Sequence, residues 1–167
     1  MSDYTFRAGN ADDEQAIVAI NAESVELTAP MDSDRFHELF GMCCQLTVAE
    51  LNGEVAGFLL GFQDGAAYDS VNYQWFSARF KQFFYVDRIV ISSEHRGAGL
   101  GQQFYSQLER WATDQGFVWI TAEINSDPPN VPSLKFHKRF GFLEIATHRL
   151  EGGKALSMQA YPLGVKA

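Results

Sequence analysis

The sequence predicts an α/β (α+β) fold with a mixed central sheet of about six to seven strands, about four helices and the element order β-α-α-β-β-β-α-β-α-β-β. Two nearly continuous apolar runs, Phe83–Ile91 and residues 117–124, have the pattern of strands buried on both faces. Between them, apolar residues recur at the spacing of one helix face, at Leu100, Phe104, Leu108 and Trp111. This strand–helix–strand unit predicts a crossover between two parallel strands.

Local signals predict the other elements. Asp12 and Gln15 have the spacing of a capping box at the start of the first helix, and Pro30 separates that helix from the second. Asn52-Gly53 is a strong hairpin signal, and Gly141 ends the last helix. The predicted strands cover residues 4–7, 45–50, 55–62, 142–150 and 155–161, and the predicted helices cover about 13–27, 32–42 and 131–140.

The segment 63–81 has no clear helical or strand period, and we predict a long loop there. A loop of this length inside a compact domain is usually functional or mobile. Its aromatic residues, which include Tyr68, Tyr73, Trp75 and Phe76, either form a wall of a substrate site or pack on the core as a lid.

Length and composition restrict the class of protein. The chain has 167 residues, of which 46% are hydrophobic and 20% charged, which is typical of one globular domain and excludes a disordered chain. No apolar run approaches the ~18 residues that a membrane span needs, and the first residues do not resemble a signal peptide. Cys43 and Cys44 are adjacent and cannot form a disulfide framework. We therefore expect a cytoplasmic protein without a membrane partner.

Charge is distributed unevenly along the chain. Residues 1–78 hold two basic and thirteen acidic residues, whereas residues 79–167 hold eleven basic and eight acidic ones. A phosphate-bearing ligand would fit the C-terminal half better, and a cationic ligand the N-terminal half, although a solvated acidic face without any partner explains the pattern equally well. The chain has no basic stripe of the kind that nucleic-acid binding requires, so we expect no nucleic-acid partner.

A glycine-rich turn lies between the first buried strand and the helix that follows it. Its sequence is Arg96-Gly97-Ala98-Gly99-Leu100-Gly101, and free backbone N–H groups at such a turn, together with the helix dipole, form a site for an anion. A dinucleotide fingerprint is excluded because Gln102 stands where its third glycine would be, and a P-loop is excluded because no G-K-[ST] follows.

The turn fits the pattern R-x-x-G-x-G, and a second pattern follows it at Asn130-x-x-Ser133-x-x-Phe136-His137-x-x-x-Gly141-Phe142. With both patterns on the predicted elements, the chain resembles the GNAT superfamily of acetyl-CoA-dependent N-acetyltransferases, with His137 where the family usually has Tyr. The resemblance implies a single GNAT domain over residues 1–167, with acetyl-CoA as co-substrate and no metal. It implies that the backbone of Ile89, Val90 and Ile91 binds the pantetheine arm, that the turn from Arg96 to Gly101 binds the pyrophosphate, and that Asn130 touches the cofactor.

Three side chains are candidates for the chemistry. Glu123 lies in an apolar strand, where a carboxylate needs a role or a partner; the family pattern favours a general base, and the alternative is a structural pair with Arg88 or a backbone donor. Asp87 is a second candidate base, an anchor for a cationic amine, or a structural partner of a basic side chain, and its neighbour Arg88 is expected to point to the opposite face. His137 is a general acid, a contact to the cofactor sulfur, or a packing residue.

From these features we predict an enzyme that transfers an acetyl group from acetyl-CoA to a primary amine by direct attack in a ternary complex. The acceptor is expected to be a small cationic amine or a basic amino acid, because the predicted helices of the N-terminal half carry five acidic residues, Glu23, Glu26, Asp32, Asp34 and Glu38. The alternatives are a protein N-terminal acetyltransferase, a non-catalytic acyl-CoA sensor, and an interaction protein that uses residues 68–76. The sequence is also compatible with a homodimer.

Overall fold

The computed structural model describes residues 3–164, which fold into one seven-stranded sheet and five α-helices. The strands are β1 (Thr5–Ala8), β2 (Gln45–Leu51), β3 (Glu54–Gln63), β4 (Phe83–Ile91), β5 (Trp119–Asp127), β6 (Leu143–Arg149) and β7 (Ala155–Pro162). Their order in the sheet is β1-β2-β3-β4-β5-β7-β6, and every neighbouring pair is antiparallel except β4 and β5, which are parallel as predicted. The predicted mixed α/β fold is therefore confirmed. The helices are α1 (Glu14–Glu23), α2 (Ser33–Met42), α3 (Val71–Ser77), α4 (Leu100–Asp114) and α5 (Val131–Phe140).

The helices cover the two faces of the sheet separately. Apolar side chains of α1, α2 and α3 form one core cluster with one face of β4, represented by Ile17, Phe36 and Phe76. Side chains of α4 and α5 form a second cluster on the other face, with Phe104 and Phe136 among them. We call these the α1–α3 face and the α4–α5 face. No described helix has the length and apolarity that crossing a membrane would require.

The segment predicted as a long loop contains a helix, α3. The Ser70 hydroxyl caps its first turn by accepting from the N–H of Tyr73, and Tyr73 and Phe76 are buried in the core. The sequence prediction of a loop over 63–81 was therefore wrong for residues 71–77, and the order of elements gains one helix between β3 and β4. The spacing of three residues between the two buried aromatics places both on one face of a short helix.

The first helix also differs from the prediction. It ends at Glu23, and residues 24–32 form a segment that connects it to α2. The capping box is formed by Asn10 and Asp13, rather than by Asp12 and Gln15, and it belongs to a short 3-10 turn before α1. Arg7 on β1 selects this arrangement, because it binds both carboxylate oxygens of Asp13 at 2.8 and 2.9 Å.

The parallel strands β4 and β5 separate after three residues. Their register pairs Phe83–Tyr85 with residues 119–121, and the described register contains no pair beyond Tyr85 and Thr121. On its other edge, β5 stays paired with β7 from Trp119 to Asp127. The separation leaves an open wedge within the sheet, at the carboxyl ends of the two parallel strands, which is where α/β folds bind ligands.

Candidate functional site

The wedge between β4 and β5 opens into a cleft of about 740 Å³. Its walls come from both strands, from the 24–32 segment, from α3 and from the start of α5. The three candidate catalytic residues, Asp87, Glu123 and His137, all line it. Of the candidate cofactor contacts, Ile89, Val90, Ile91, Arg96 and Asn130 line it as well, whereas the turn residues 97–101 follow Arg96 outside the lining.

A β-bulge at Asp87 shapes the centre of the cleft. Leu60 of β3 pairs with Arg88 and Gly61 pairs with Val86, so Asp87 has no partner in the register. The extra residue changes the alternation of side chains: Tyr85 packs on the α1–α3 face before the bulge, and Val90 packs on the same face after it. The prediction that Asp87 and Arg88 point to opposite faces was therefore wrong, since the bulge places both side chains on one side, where they form an ion pair at 2.7 Å.

Arg88 ties the bulge to the 24–32 segment. Its Nη1 donates to the backbone oxygen of Ala29 at 3.0 Å and to Oδ1 of Asn21 at 3.2 Å. Asn21, which is fully buried, also donates to the same oxygen of Ala29 at 3.0 Å. The guanidinium and the amide together fix one wall of the cleft relative to β4, because each supplies a directed hydrogen bond in a buried setting.

Glu123 lies on β5 with its carboxyl group held by two hydrogen-bond donors. The Tyr85 hydroxyl donates to both carboxylate oxygens, at 2.7 and 2.8 Å, and Nδ2 of Asn72 donates to Oε1 at 3.1 Å. Arg88 is not its partner, so the structural pair considered from the sequence is not formed. Burial raises the pKa of the Glu123 carboxyl to about 8, although the Tyr85 hydrogen bond lowers it in part. A carboxyl group with such a pKa can accept and release a proton near neutral pH.

Both carboxylate oxygens of Asp87 are bound by neighbouring side chains, and one of these partners is a cation. Oδ2 accepts from Nε of Arg88 at 2.7 Å and Oδ1 accepts from the Tyr68 hydroxyl at 2.6 Å, and only 6% of its side chain is exposed. Of the alternatives given by the sequence, the structure shows the pair with a basic side chain. Its negative charge also raises the pKa of the Glu123 carboxyl.

His137 is buried on the α4–α5 face, and both of its ring nitrogens are occupied. Nδ1 lies 2.8 Å from the backbone oxygen of Ser133, which can only accept, so Nδ1 carries the proton. Nε2 then accepts from the Tyr105 hydroxyl at 2.7 Å. Burial lowers the pKa of the imidazole, which favours this neutral form. In this arrangement His137 has no N–H directed into the cleft, which counts against the predicted role of general acid.

The glycine-rich turn presents uncapped backbone at the start of α4. Gly97 and Gly99 have φ angles of +83° and +79°, in the left-handed region that side chains with a Cβ avoid, and no atom lies within 4 Å of where a Cβ would be. No side chain caps the helix, so its first N–H groups keep their capacity to bind an anion. Arg96 lies beside the turn and contacts Ser24 and the backbone of Ile91.

Asn130 caps the other helix that borders the cleft. Its side chain accepts from the N–H of Ser133 at 3.4 Å, and it also lines the cleft. The cap and a contact to a ligand are therefore compatible, as the sequence analysis allowed. On β4, residues Ile89, Val90 and Ile91 border the wedge, and only one edge of this stretch is paired, by β3. Alternate backbone groups of a strand point to its other edge, which here is open to the cleft.

The acidic residues of the N-terminal half do not line the cleft. Glu23 binds Ser93, Asp32 caps α2, and Glu38 pairs with Arg35, while Asp34 and Glu26 are exposed elsewhere. The charged residues that do line it are Asp87, Glu123, Arg88, Arg96 and Lys154. The carboxylates on which the prediction of a cationic acceptor was based therefore make local contacts or lie outside the cavity.

Sequence reasoning missed three side chains that complete the site, namely Tyr85, Asn72 and Tyr105. Tyr85 had a detectable signal, since it stands two residues before Asp87 and shares its face of the strand. Asn72 had none, because its helix was predicted as a loop. Tyr105 is one residue off the apolar face that predicted α4, and its contact with His137 depends on how α4 packs against α5.

The site fits a phosphate-bearing thioester and shows no sign of a metal centre. Across residues 3–164, no group of three or more His, Cys, Asp or Glu side chains could hold a metal ion. The uncapped turn provides N–H donors for a diphosphate, and the open edge of β4 provides backbone groups for an extended amide-containing arm. A diphosphate and an extended amide-containing arm are the groups that coenzyme A carries. The cleft connects the open edge of β4 and Arg96, the first residue of the turn, to Glu123.

Comparisons with known proteins agree with this geometry. A family model described as the acetyltransferase (GNAT) family matches residues 14–142. A phosphinothricin N-acetyltransferase from Streptomyces viridochromogenes is 30% identical over 107 residues, which are 64% of this chain and 51% of that protein, so the match spans about half of the relative.

Two solved structures illustrate the shared fold. The ribosomal-protein-S18-alanine N-acetyltransferase from Escherichia coli superposes with a TM-score of 0.75 at 16% identity and covers 99% of this chain and 97% of its own. The Salmonella typhimurium protein yncA, solved with its cofactor acetyl-CoA, superposes with a TM-score of 0.72 at 22% identity, again over 99% and 97% of the two chains.

Proposed function

The chain belongs to the GNAT acetyltransferase family, and from this premise we propose that it acetylates a primary amine with Glu123 as the general base. The residues described act as one acetyltransferase domain in this proposal. The observation that carries it is the Glu123 carboxyl itself: it lines the cleft, two donors hold it, and burial raises its pKa to about 8. Acetyl-CoA, when bound, supplies the activated acyl group.

The base is needed because an amine enters the cleft mainly as an ammonium ion, which has no lone pair with which to attack. An ionised Glu123 carboxylate takes one proton from the ammonium nitrogen, and that nitrogen then has a free electron pair. The carboxyl group becomes neutral in this step. A pKa of about 8 supports the exchange, because it is nearer than that of an ordinary carboxyl group to the value of about 10.4 for an alkylammonium ion and it is close to neutral pH.

The remaining residues of the site orient the reactants. The backbone from Arg96 to Gly101 binds the pyrophosphate, the free edge of Ile89, Val90 and Ile91 binds the pantetheine arm, and Asn130 contacts the same ligand. In this proposal one of the backbone N–H groups of residues 89–91 also stabilises the negatively charged oxygen of the tetrahedral intermediate. Asp87 stays a positioning residue of the base rather than a second base, because Arg88 and Tyr68 occupy its oxygens.

His137 has a binding role in this proposal. Its neutral imidazole, with both nitrogens occupied, supports packing beside the cofactor without proton transfer. A coenzyme thiol has a pKa of about 8.5 by analogy with Cys, so it leaves readily as a thiolate near neutral pH and an acid is not essential.

For the acceptor, we propose a small-molecule amine that needs no second positive charge. The wall on the α1–α3 face includes the exposed apolar residues Val25 and Leu27. Lys154, directly before β7, adds a positive charge to the lining of the cleft. Asp87 is already neutralised by Arg88 at 2.7 Å. A second cationic group on the acceptor would therefore meet no free carboxylate in this lining apart from the base.

The base assignment is tested by Glu123→Gln in an assay of thiol release from acetyl-CoA with a panel of primary amines. We expect kcat to fall about 10²–10⁴-fold, as for the loss of a general base, with the KM for acetyl-CoA changed less than about twofold. Glu151→Gln, at an exposed position of the β6–β7 turn, is the matched control and should keep full activity. A Glu123→Gln enzyme with unchanged kcat would refute the assignment.

The acceptor class is tested with monoamines, diamines, amino acids and a peptide amino terminus at equal concentration. We expect the double variant Asp34→Asn, Glu38→Gln to leave kcat/KM for every good acceptor within about twofold, since exposed charges of this kind contribute little. A strong preference for diamines that this variant abolishes would restore the cationic acceptor. Turnover of the peptide alone would favour a protein N-terminal acetyltransferase.

A further inference from the structure

Asn72 holds the candidate base with one end of its amide group while the other end has no partner. Its Nδ2 donates to Oε1 of Glu123 at 3.1 Å. Its Oδ1 is buried and has no hydrogen-bond partner among the described residues. A buried amide oxygen without a donor is costly, so a group that can supply a donor there has a physical reason to do so.

The proton cycle of a carboxyl base supplies a donor for that oxygen. An ionised carboxylate only accepts hydrogen bonds, and Tyr85 and Asn72 both donate to it. Once Glu123 has taken a proton, it carries an O–H that needs an acceptor. The Tyr85 hydroxyl keeps its own proton, since burial raises its pKa well above 10, and it continues to donate to the carboxyl group. The Tyr85 hydroxyl oxygen also has acceptor lone pairs, but Oδ1 of Asn72 is the buried acceptor beside Glu123 that has no partner at all among the described residues.

We propose that Asn72 is a positioning residue that hydrogen-bonds the Glu123 carboxyl group in both of its protonation states. In the ionised state Nδ2 donates to Oε1, as observed. In the neutral state the amide turns by half a revolution about its Cβ–Cγ bond, and Oδ1 accepts the O–H of the carboxyl group. The two ends of an amide have nearly the same shape, so this rotation needs no repacking. The proposal rests on the function proposed above, in which Glu123 gains and loses a proton in each turnover.

Helix α3 gives Asn72 the rigidity that this role requires. The helix is anchored by Tyr73 and Phe76, which are 2% and 0% exposed, and its first turn is capped by Ser70. The Tyr73 hydroxyl also donates to the backbone oxygen of Gln63 at 2.6 Å, which fixes the helix to the end of β3. Asn72 therefore approaches Glu123 from an element that packing holds in place.

The other ionisable groups around Glu123 define what a pH measurement will report. Tyr85 and Asp87 face it from β4, and Tyr105 acts on the same charge from α4. From β7 its register partner is Met158, which does not titrate. Replacement of Asn72 removes a donor to the ionised form and leaves these groups in place, so the carboxyl group should bind its proton more tightly.

The experiment compares Asn72→Leu, Asn72→Asp and the control Val71→Ala, which changes an exposed neighbour on the same helix. One readout is the pH dependence of kcat/KM, and the other is the titration of the ¹³C-labelled Glu123 carboxyl group by NMR in the ligand-free protein, assigned with Glu123→Gln. For Asn72→Leu we expect kcat to fall about tenfold and both midpoints to rise by no more than about one pH unit, because the hydrogen bond lost by the ionised form is stronger than the one lost by the neutral form and only the difference moves the midpoint.

Asn72→Asp separates the two hydrogen bonds. Its carboxylate accepts from neutral Glu123 but repels the ionised form, so its midpoint should lie above that of Asn72→Leu, and its kcat should fall at least as far. The KM for acetyl-CoA should stay within about twofold in both variants, because Asn72 acts on the base alone. The control should match the parent in every measurement.

The outcomes that would overturn the proposal are distinct from those that would overturn the base assignment. An Asn72→Leu protein that folds, with unchanged midpoints and kcat, would refute the role of Asn72, as would an Asn72→Asp midpoint at or below that of Asn72→Leu. If Glu123→Gln kept its kcat, the base assignment would fail. The carboxyl titration would then still decide whether the amide binds both protonation states.

Discussion

Two buried polar centres face the cleft from opposite sides of the sheet, and they differ in what they can still do. On the α1–α3 face, Tyr85 and Asn72 hold a carboxyl group, Glu123, whose pKa is close to neutral pH. On the α4–α5 face, Tyr105 and Ser133 hold an imidazole, His137, at both of its nitrogens. Each centre pairs a tyrosine hydroxyl with an ionisable side chain.

The difference lies in the capacity to exchange a proton. Burial favours the neutral form at both centres: it raises the pKa of the carboxyl group and lowers that of the imidazole. For the Glu123 carboxyl the shift brings the pKa to about 8, near neutral pH, whereas for the His137 imidazole it lowers the pKa and favours the neutral form. The same physical cause therefore supports proton exchange at Glu123 and opposes it at His137, so the identity of a polar residue alone does not reveal its role.

The largest expected effect is on stability, and it has opposite pH dependence at the two centres. Glu123 has its pKa raised from 4.5 to about 8 in the folded protein, so below pH 4.5 the group is neutral in both the folded and the unfolded state. Above pH 8 it is charged in both, and the folded protein bears the full cost of the buried charge. Relative to the parent, Glu123→Gln should thus gain free energy of unfolding between pH 5 and pH 9, on the order of 4 kcal/mol.

Urea unfolding at a series of pH values measures that gain. A difference between parent and variant that stays constant from pH 5 to pH 9 would contradict the raised pKa. At His137 the sign is reversed: its pKa is lowered in the folded state, so its contribution to stability is lost as pH falls below the unfolded value of 6.5.

A smaller effect is expected from removing one hydroxyl group at each centre in turn. Tyr85→Phe takes away the donor to both oxygens of the base, so kcat should fall about 10-fold and the midpoint of the pH–rate profile should rise. Tyr105→Phe is the matched variant on the other face, and we expect its kcat to stay within about threefold of the parent. Steady-state assays from pH 6 to pH 10 make the comparison, and equal losses in the two variants would abolish the distinction drawn between the centres.

The smallest effect on rate is expected from His137→Phe. The aromatic ring keeps the contacts with Tyr105 and Phe142, but the Tyr105 hydroxyl loses its acceptor. We expect a loss of about 1–3 kcal/mol in the free energy of unfolding, from an unpaired buried hydroxyl, with kcat lowered less than threefold at pH 7–8. A fall of 100-fold in kcat with little loss of stability would return His137 to the role of general acid.

Much of the frame of this site follows from local sequence signals. The two apolar runs predicted β4 and β5, and the helical spacing of apolar residues predicted α4. The glycine-rich turn was predicted between β4 and α4. Glu123 was predicted within a buried strand and Asn130 at the start of a helix, and both line the cleft, although β5 continues to Asp127, beyond the predicted end at residue 124. These predictions depend on the period of side chains and on backbone conformation, which neighbouring residues determine.

The parts that could not be predicted depend on long-range contacts. Helix α3 is only seven residues long and rests on the burial of Tyr73 and Phe76 rather than on a strong helical pattern. A count of charges also does not show that Glu38 is paired with Arg35 or that Glu23 binds Ser93. A formal charge says nothing about which carboxylates are free, because that depends on where each side chain lies.

The sequence by itself determined the family, the order of the elements around the wedge and the presence of a carboxyl group inside it, because each follows from short-range periodicity and a few motif residues. The tertiary structure alone decided that Asp87 and Arg88 share a face, that His137 is neutral, and that Asn72 reaches Glu123. The physical reason is that a register shift, a tautomer and a pKa are all set by atoms brought together from distant parts of the chain.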